Sequence, residues 1–417
     1  ESHRNTCLMF TLVNIAELAT CPAGNPQNDA GIVRNAALAT DGETIAWSGP
    51  MGEIPDKYQG GQTIDCGGRL VVPGLIDCHT HLCFGGWRGD EFEMRLAGAS
   101  YQEIAAAGGG IASTVAATRA GSLEDLQEKA AMSLQGMLSL GVTTVECKSG
   151  YGLDEANELK QLEVYRRLDQ AQAVDLVSTF LGAHIVPPEF RDHRDRYISL
   201  ICDVLIPEVA REGLAEFCDA FVEEGAYTAD EARLIFDAAR RNGLKIKLHA
   251  DQLSDGGGAA LAAEYNAVSA EHLEYVSPEG IRKLAGSGTV AVSLPLASLY
   301  LGEPYLPARK LLEAGVPVAV ATDFNPGSAP SYHLPLAMTL ACLNQAMTPQ
   351  EALNGATTVA ARAIDRQDRI GSLLPGFRAD LALIDAPSLN QWLYHFVPNA
   401  CLAVAKNGRW VKELSPA

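Results

Sequence analysis

The chain has 417 residues, 47% hydrophobic and 20% charged, and a formal net charge of −19. This length suits a large domain with a smaller accessory one, and no apolar run reaches the roughly 18 residues of a membrane helix. The acidity argues against nucleic acid as a partner, although one local arginine could still bind a small anion, and the N-terminal residues show no signal-peptide pattern.

Residues 1–68 consist of short strand patterns separated by turns. Val33–Trp47 is typical of two strands that are joined at Asp41-Gly42, a dipeptide favoured in tight hairpins. We expect this segment to be the first part of a small β-sandwich.

Residues 69–365 alternate strand and helix patterns. Thr228 to Glu231 forms a capping box that starts one of the helices. An open doubly wound sheet is the alternative, but no Gly-x-Gly-x-x-Gly turn follows the first strand, so we expect a (β/α)8 barrel. The eight predicted strands are Leu70–Asp77, Val142–Glu146, Asp175–Leu181, Phe217–Val222, Lys245–His249, Ala267–His272, Thr289–Leu294 and Val316–Thr322.

Residues 366–417 again show strand patterns. Ala379–Ile384 is short and apolar, and Cys401–Val411 is interrupted by Asn407-Gly408. This segment is expected to complete the small β-sandwich, so that both chain ends flank one barrel.

His79 and His81 lie at the end of the first predicted barrel strand, in Pro73-Gly-Leu-Ile-Asp-Cys-His79-Thr-His81. Residues i and i+2 of a strand point the same way, so both imidazoles can reach one ion. An H-x-H pair alone is weak evidence for a metal. Its position is more informative, because active sites of barrels lie at the carboxyl ends of the strands.

Three more of the nine histidines, His184, His249 and His272, fall at or just beyond strand ends, and Asp323 follows the last apolar strand. Imidazoles with one carboxylate suit Zn²⁺, Fe²⁺ or Mn²⁺. A bound Zn²⁺ can lower the pKa of water to about 7, and a nearby carboxylate can move the released proton to a leaving nitrogen. The sequence therefore predicts one catalytic divalent metal per chain, with Asp323 as the proton shuttle.

Longer segments carry a specific resemblance over nearly the whole chain. The first motif and the final Thr-Asp resemble the amidohydrolase superfamily, and further segments resemble the imidazolonepropionase family within it. These segments are Phe84-Gly-Gly-Trp-Arg88, Glu146-Cys-Lys-Ser-Gly-Tyr-Gly152, Phe180-Leu-Gly-Ala-His184, His249-Ala-Asp-Gln252 and Thr322-Asp-Phe-Asn-Pro-Gly-Ser328.

The resemblance implies an enzyme of histidine degradation that hydrolyses the cyclic amide C–N bond of 4-imidazolone-5-propanoate, giving N-formimidoyl-L-glutamate. It implies Zn²⁺ or Fe²⁺ as the metal and a homodimer as the assembly. The implied metal ligands are His79, His81, His249 and Asp323. Catalysis would rest on Asp323 and His272, with either as the primary base. The implied substrate-binding residues are Arg88, Tyr151, His184, Gln252, Asn325, Gly327 and Ser328. The planar guanidinium of Arg88 suits the propionate of this small anionic heterocycle.

Three alternatives remain open. Another cyclic amide or amidine hydrolase, or a deaminase, is the nearest, although Gln252 cannot transfer a proton as the glutamate of deaminases does. A second alternative is a binuclear metal centre in which Lys148 is carboxylated and bridges the two metals, although we interpret Lys148 as a supporting residue. A metal-dependent binding barrel without turnover would not need His272, Asp323 and Arg88 together.

The pattern of cysteines indicates the cellular compartment of the protein. Ten are scattered along the chain without a C-x-x-C pair. This pattern favours reduced thiols in a cytoplasmic protein. Cys78 and Cys83 flank the histidine pair and are interpreted as packing residues.

Overall fold

The computed structural model describes residues 9–59, 61–99, 103 and 108–413. Their strands form two sheets. One is an eight-stranded parallel sheet that closes almost completely into a barrel, and the other is a seven-stranded mixed sheet built from both ends of the chain. The expected (β/α)8 barrel with a small β-domain from both chain ends is confirmed, and the strands expected to form a β-sandwich make one seven-stranded mixed sheet.

The strands are numbered along the chain. Those before the barrel are β1 (Phe10–Ala19), β2 (Ile32–Asp41), β3 (Thr44–Pro50) and β4 (Gln62–Pro73). The barrel strands are β5 (Leu75–Thr80), β6 (Val142–Lys148), β7 (Asp175–Ala183), β8 (Phe217–Val222), β9 (Lys245–Ala250), β10 (Ser269–His272), β11 (Val290–Ser293) and β12 (Val318–Val320). The last strands are β13 (Leu381–Ile384), β14 (Cys401–Lys406) and β15 (Arg409–Lys412). Each predicted barrel strand overlaps one of β5 to β12.

The described α-helices as far as Glu313 connect successive barrel strands, the next three follow β12, and the last lies between β13 and β14. Their bounds are Gly89–Leu96, Ile111–Ala120, Leu123–Ser139, Glu155–Ala171, Arg194–Leu200, Ile206–Arg211, Ala229–Arg241, Gly258–Glu264, Pro278–Ala285, Pro295–Leu301, Ala308–Glu313, Leu334–Gln345, Pro349–Gly355, Thr358–Ala363 and Leu389–Tyr394. The predicted capping box is formed, because the Thr228 hydroxyl accepts the N–H of Glu231 at 3.2 Å. In the described part of the chain, no helix has the length and apolarity needed to span a membrane.

The seven-stranded sheet joins the two ends of the chain. β4 is its meeting point, since it pairs in parallel with β1 and antiparallel with β13. The two predicted hairpin turns touch, because a Cβ on Gly408 would lie 2.0 Å from the carbonyl oxygen of Gly42. The sheet has its own apolar core, separate from that of the barrel, with Leu12, Leu38, Val71 and Leu383 among its members.

The chain passes from this sheet into the barrel at Gly74. The strand expected at Leu70–Asp77 is divided there into the end of β4 and the start of β5. A Cβ on Gly74 would lie 2.3 Å from the hydroxyl of Thr143, and its N–H donates to the carbonyl of Asp380 at 2.8 Å. Only glycine fits where the strand changes sheet so close to β6.

The barrel closes between its first and last strands through residues that follow β12. The N–H of Asp323 donates to the carbonyl of His79 at 3.1 Å, and the N–H of His81 donates to the carbonyl of Phe324 at 2.9 Å. These bonds hold the predicted metal ligands His79 and His81 beside Asp323.

Candidate active site

Four donor side chains meet at the carboxyl end of the barrel. His79 lies in β5 and His81 directly follows it, β9 supplies His249, and Asp323 follows β12. Oδ1 of Asp323 lies 3.3 Å from Nε2 of His79 and 3.5 Å from Nε2 of His81. Nε2 of His249 lies 3.4 Å from Nε2 of His81. All four side chains are buried, and the structure thus brings the predicted ligands together around one small volume.

His272 borders this group on a strained backbone. One of its ring nitrogens lies within 4.8 Å of donor nitrogens of His79 and His249. Its φ is 74°, and Asp323 has a φ of 57°. Each left-handed non-glycine residue costs on the order of 1–3 kcal/mol, and such strain gathers at functional sites. The two predicted catalytic residues are therefore both held in a conformation that the surrounding fold imposes.

Buried carboxylates hold the other ring nitrogen of two candidate ligands. Nδ1 of His79 contacts Glu271, and Nδ1 of His249 lies 3.0 Å from Asp219. A carboxylate at Nδ1 keeps a proton there and directs the Nε2 lone pair toward a metal. Burial lowers the pKa of His79, but Glu271 and Asp323 outweigh this effect and raise the pKa to about 9. A metal at Nε2 of His79 would thus displace a proton.

Two buried ammonium groups lie among these carboxylates. Nζ of Lys148 is 2.7 Å from Glu146, 3.0 Å from Asp219 and 2.9 Å from Glu271. Nζ of Lys247 is 3.1 Å from Glu271. All five side chains are fully buried. Of these five residues, only Lys148 was singled out by its sequence context. A signal for this network was present in the sequence, because several predicted strands contain charged residues. Such residues are buried only when they are paired with an opposite charge.

The charges around the donors fit a divalent cation. The two ammonium groups face the three carboxylates just described, and Asp323 adds a fourth carboxylate. With neutral imidazoles, these four carboxylates and two ammonium groups together carry two net negative charges, which one divalent ion offsets. Imidazole nitrogen and carboxylate oxygen are ligands that Zn²⁺ and Fe²⁺ accept. The donors and the buried charge therefore both fit one divalent metal.

A cavity of about 510 Å³ opens in front of the donors. His81, His249, His272 and Asp323 line it, whereas His79 lies behind them. Every predicted substrate-binding residue also lines it: Arg88, Tyr151, His184, Gln252, Asn325, Gly327 and Ser328. Lining residues that the sequence analysis missed include Arg95, Ile111, Ile185, Phe221, Leu253 and Leu301. They carry no motif, and their approach to the cavity depends on how helices and loops pack.

Arg88 has a fixed orientation at this cavity. Its Nε and Nη2 donate to Oε2 of Glu91 at 2.8 and 2.6 Å, and Oε1 of Glu91 accepts the N–H of Gly110 at 2.9 Å. Gly327 leaves room for the guanidinium, since a Cβ there would lie 2.3 Å from Nη1 of Arg88. Glu91 and Gly327 thus hold the guanidinium from two sides, and no sequence motif indicated this role of Glu91.

His184 and Tyr151 form an aromatic wall beside His81. Nδ1 of His184 lies 3.0 Å from the carbonyl of Gly150, so this nitrogen carries the proton and Nε2 is an acceptor. Burial lowers the pKa of His184 to about 4, which keeps it neutral at pH 7. Burial raises the pKa of Tyr151, so its hydroxyl stays protonated. The wall therefore offers uncharged hydrogen-bonding groups.

A buried glutamate holds the loop that carries Tyr151. The carboxylate of Glu158 accepts the N–H groups of Gly150 at 3.1 Å, Gly152 at 2.9 Å and Leu153 at 2.8 Å. Its side chain is fully buried. The Lys-Ser-Gly-Tyr-Gly segment therefore derives its shape from a residue outside the motif.

Asn325 shapes the loop after β12. Its Nδ2 donates to the carbonyl of Asp323 at 2.6 Å, and its Oδ1 accepts the N–H groups of Gly327 and Ser328, both at 2.8 Å. The hydroxyl of Ser328 donates to Oδ2 of Asp323 at 3.3 Å. These hydrogen bonds of Asn325 all stay within the loop. Gln252 is half-buried in the wall of the cavity.

Comparisons with known proteins agree with this geometry. The amidohydrolase family model matches residues 70–412. Structures with the same fold include a triazine hydrolase from Arthrobacter aurescens, with a TM-score of 0.75 and 18% identity over 97% of this chain and 95% of that one. A 5-methylcytosine deaminase from Klebsiella pneumoniae has a TM-score of 0.73 and 17% identity over 98% and 99% of the two chains. At such identities the likeness concerns the fold alone.

Curated relatives are much closer in sequence. The imidazolonepropionase of Geobacillus thermodenitrificans is 49% identical over 405 residues, which are 96% of each chain. That of Geobacillus kaustophilus is 47% identical with the same coverage, and that of Cupriavidus pinatubonensis is 48% identical over 90% of this chain and 89% of its own. The chain therefore belongs to the imidazolonepropionase family within the amidohydrolases.

Proposed function

We propose that this protein hydrolyses 4-imidazolone-5-propanoate to N-formimidoyl-L-glutamate, a step of histidine degradation, with one divalent metal per chain. The observation that supports this most is the cavity that has four converging metal donors and the fixed guanidinium of Arg88 in one wall. Membership in the imidazolonepropionase family supports the substrate.

The metal would be Zn²⁺ or Fe²⁺, held by His79, His81, His249 and Asp323. When bound, such an ion acidifies water and polarises the ring carbonyl. The chain contributes the orientation of its donors, because Asp219 and Glu271 fix the ring nitrogens that face away from the metal.

Asp323 is the proposed proton shuttle. Burial alone would raise its pKa, but the hydrogen bond with His79 and the nearby imidazoles lower it, so the carboxylate is the form present at neutral pH. It takes a proton from the attacking water and passes it to the ring nitrogen that leaves when the C–N bond breaks. His272 assists this transfer or stabilises the charge that develops on the ring oxygen.

Substrate orientation falls to the cavity walls. Arg88 receives the propionate through the guanidinium edge that Glu91 leaves free. Nε2 of His184 accepts a hydrogen bond from a ring N–H, and the Tyr151 hydroxyl donates to the substrate. Gln252 forms a neutral hydrogen bond with the ring. Asn325, Gly327 and Ser328 shape the loop against which the propionate lies.

The setting that we propose is the cytoplasm, with a homodimer as the assembly and no nucleic-acid partner. All nine cysteines in the described residues are free thiols, as expected where thiols stay reduced. Burial raises the pKa of several of them, including Cys83 to about 12, which makes them poor nucleophiles.

The direct test supplies fresh 4-imidazolone-5-propanoate to protein loaded with Zn²⁺ or Fe²⁺ under anaerobic conditions. Ring opening is followed by absorbance, and N-formimidoyl-glutamate is identified by NMR. Metal-stripped protein serves as the control. We expect metal-dependent product, and we expect Asp323→Asn to lower kcat by at least about a hundredfold. No product from protein with metal demonstrably bound would move the substrate to another cyclic amide or amidine.

A further inference from the structure

Four aromatic rings join the two loops that flank the closing edge of the barrel. We call Phe84, Trp87, Phe324 and Tyr332 the aromatic bridge. Phe84 and Trp87 follow β5, whereas Phe324 and Tyr332 follow β12. Ring centroids are 5.0 Å apart for Phe84 and Trp87, 5.7 Å for Phe84 and Phe324, and 5.2 Å for Phe324 and Tyr332, all edge to face. The bridge fixes one loop relative to the other.

The helix Leu123–Ser139 contacts both ends of this bridge. At one end, Nζ of Lys129 lies 3.8 Å from the ring centroid of Phe84 and 4.5 Å from that of Trp87. At the other end, a Cβ on Gly136 would lie 2.3 Å from the hydroxyl of Tyr332. Residues seven apart lie on one face of a helix, so this face supports the whole bridge.

Lys129 also bonds the loop backbone. Its ammonium donates to the carbonyl of Gly86. Burial lowers the pKa of Lys129 to about 8. This value is still above neutral pH, so the protonated form prevails. Among the described residues, no carboxylate forms an ion pair with Lys129, so aromatic faces and one carbonyl take the place of a counter-charge.

Two more contacts, both made by Gly85, limit the freedom of the loop beside Gly86. The N–H of Gly85 donates to the hydroxyl of Thr118 at 2.9 Å, and a Cβ on Gly85 would lie 2.4 Å from the backbone of Ala117. Gly86 has a φ of 67°. Arg88 follows two residues later and lies against Gly327 of the opposite loop. A shift of Gly86 therefore displaces the guanidinium.

We propose that Lys129 is a positioning residue for substrate binding. Through Gly86 and the rings of Phe84 and Trp87, it holds the loop at the place where Arg88 meets the carboxylate of the substrate. This inference rests on the proposed function, since it assumes that Arg88 binds the propionate.

The test compares three variants with the wild type. Lys129→Met keeps the length of the side chain without its charge. Lys129→Arg keeps a cation that can stack on the rings and donate to the carbonyl. Glu128→Gln changes the exposed neighbour on the same helix as a matched control. We expect KM to rise about tenfold in Lys129→Met, while kcat stays within about threefold of the wild type. In Lys129→Arg, KM should return most of the way to the wild-type value.

Two further measurements separate positioning from loss of structure. An imidazolone without the propionate chain, used as a competitive inhibitor, should have an unchanged Ki in Lys129→Met. Hydrogen exchange of residues 84–88, read by mass spectrometry, should accelerate in Lys129→Met and not in Glu128→Gln. Unchanged KM and unchanged exchange would overturn the proposal, as would an equal rise of KM and of this Ki.

The exchange measurement also distinguishes the two proposals. A wild type with metal but without turnover contradicts the proposed function, while faster exchange in Lys129→Met would still support the role of Lys129 in holding the loop. Normal turnover with unchanged exchange contradicts the role of Lys129 alone.

Discussion

Asp219 is bonded twice to His249, once through the backbone and once through the ring. Its Oδ1 accepts the backbone N–H at 3.1 Å, and its Oδ2 lies 3.0 Å from Nδ1. One buried carboxylate thus sets the position of the residue and the tautomer of its imidazole. The free Nε2 faces the other donors.

Asp219→Asn should weaken metal binding. The amide keeps the shape of the side chain but loses the charge that favours a proton on Nδ1. We expect affinity for Zn²⁺ to fall about 10- to 100-fold, measured by competition with a chelator. Asp230→Asn, at a side chain that is 94% exposed, is the control. Unchanged affinity in Asp219→Asn would contradict this role.

Lys148→Met should lower the stability of the protein. Glu146, Asp219 and Glu271 all lie within 3.0 Å of the buried ammonium, and its removal leaves like charges facing one another. Breaking such a buried pair costs about 3–5 kcal/mol of unfolding free energy. Denaturant unfolding measures the change, with exposed Lys310→Met as the control. A loss below about 1 kcal/mol, the range of surface pairs, would contradict the prediction.

The sequence could not reveal this network of buried carboxylates around Lys148. The H-x-H pair was predictable because the two-residue period of a strand is a local property that puts His79 and His81 on one side. Which charged strand residues meet inside the barrel depends on the relative position of strands far apart in the chain. The sequence therefore offered no reason to assign a role to Glu271 beside His272, although Glu271 contacts His79.

The path of the chain between its two sheets shows the same limit. Apolar residues run continuously through Pro73-Gly74, so the pattern indicated one strand at Leu70–Asp77. The break comes from contacts of Gly74 with Thr143 and Asp380, which no local pattern contains. The division of the chain after residues 68 and 365 stays a prediction.

Arg88→Lys should impair substrate binding more than chemistry. A lysine cannot satisfy Glu91 and a carboxylate with one planar group, as the guanidinium does. We expect KM for the propionate substrate to rise about a hundredfold, with metal content unchanged. Steady-state kinetics and metal analysis measure both, and Arg34→Lys, at an 81% exposed side chain, is the control. A fall in kcat at constant KM would argue against carboxylate binding.

Glu158 should stabilise the Tyr151 loop through its acceptor atoms more than through its charge. Oε1 accepts N–H groups from Gly150, Gly152 and Leu153, and a glutamine oxygen can occupy the same place. Glu158→Gln should therefore cost about 1 kcal/mol of unfolding free energy. Glu158→Leu, which leaves three buried donors unpaired, should cost about 3 kcal/mol or more.

Denaturant unfolding measures the free energy of unfolding of both variants. The control is Glu155→Leu, at an exposed position on the same helix, which also removes a carboxylate near the helix start. Equal losses in Glu158→Gln and Glu158→Leu would show that the charge of Glu158, rather than its acceptor oxygen, holds the loop. The predicted order, with Leu the more damaging, would show that the loop depends on satisfied backbone donors. In that case Tyr151 should also lose its fixed place, and the KM of Glu158→Leu should exceed that of Glu158→Gln.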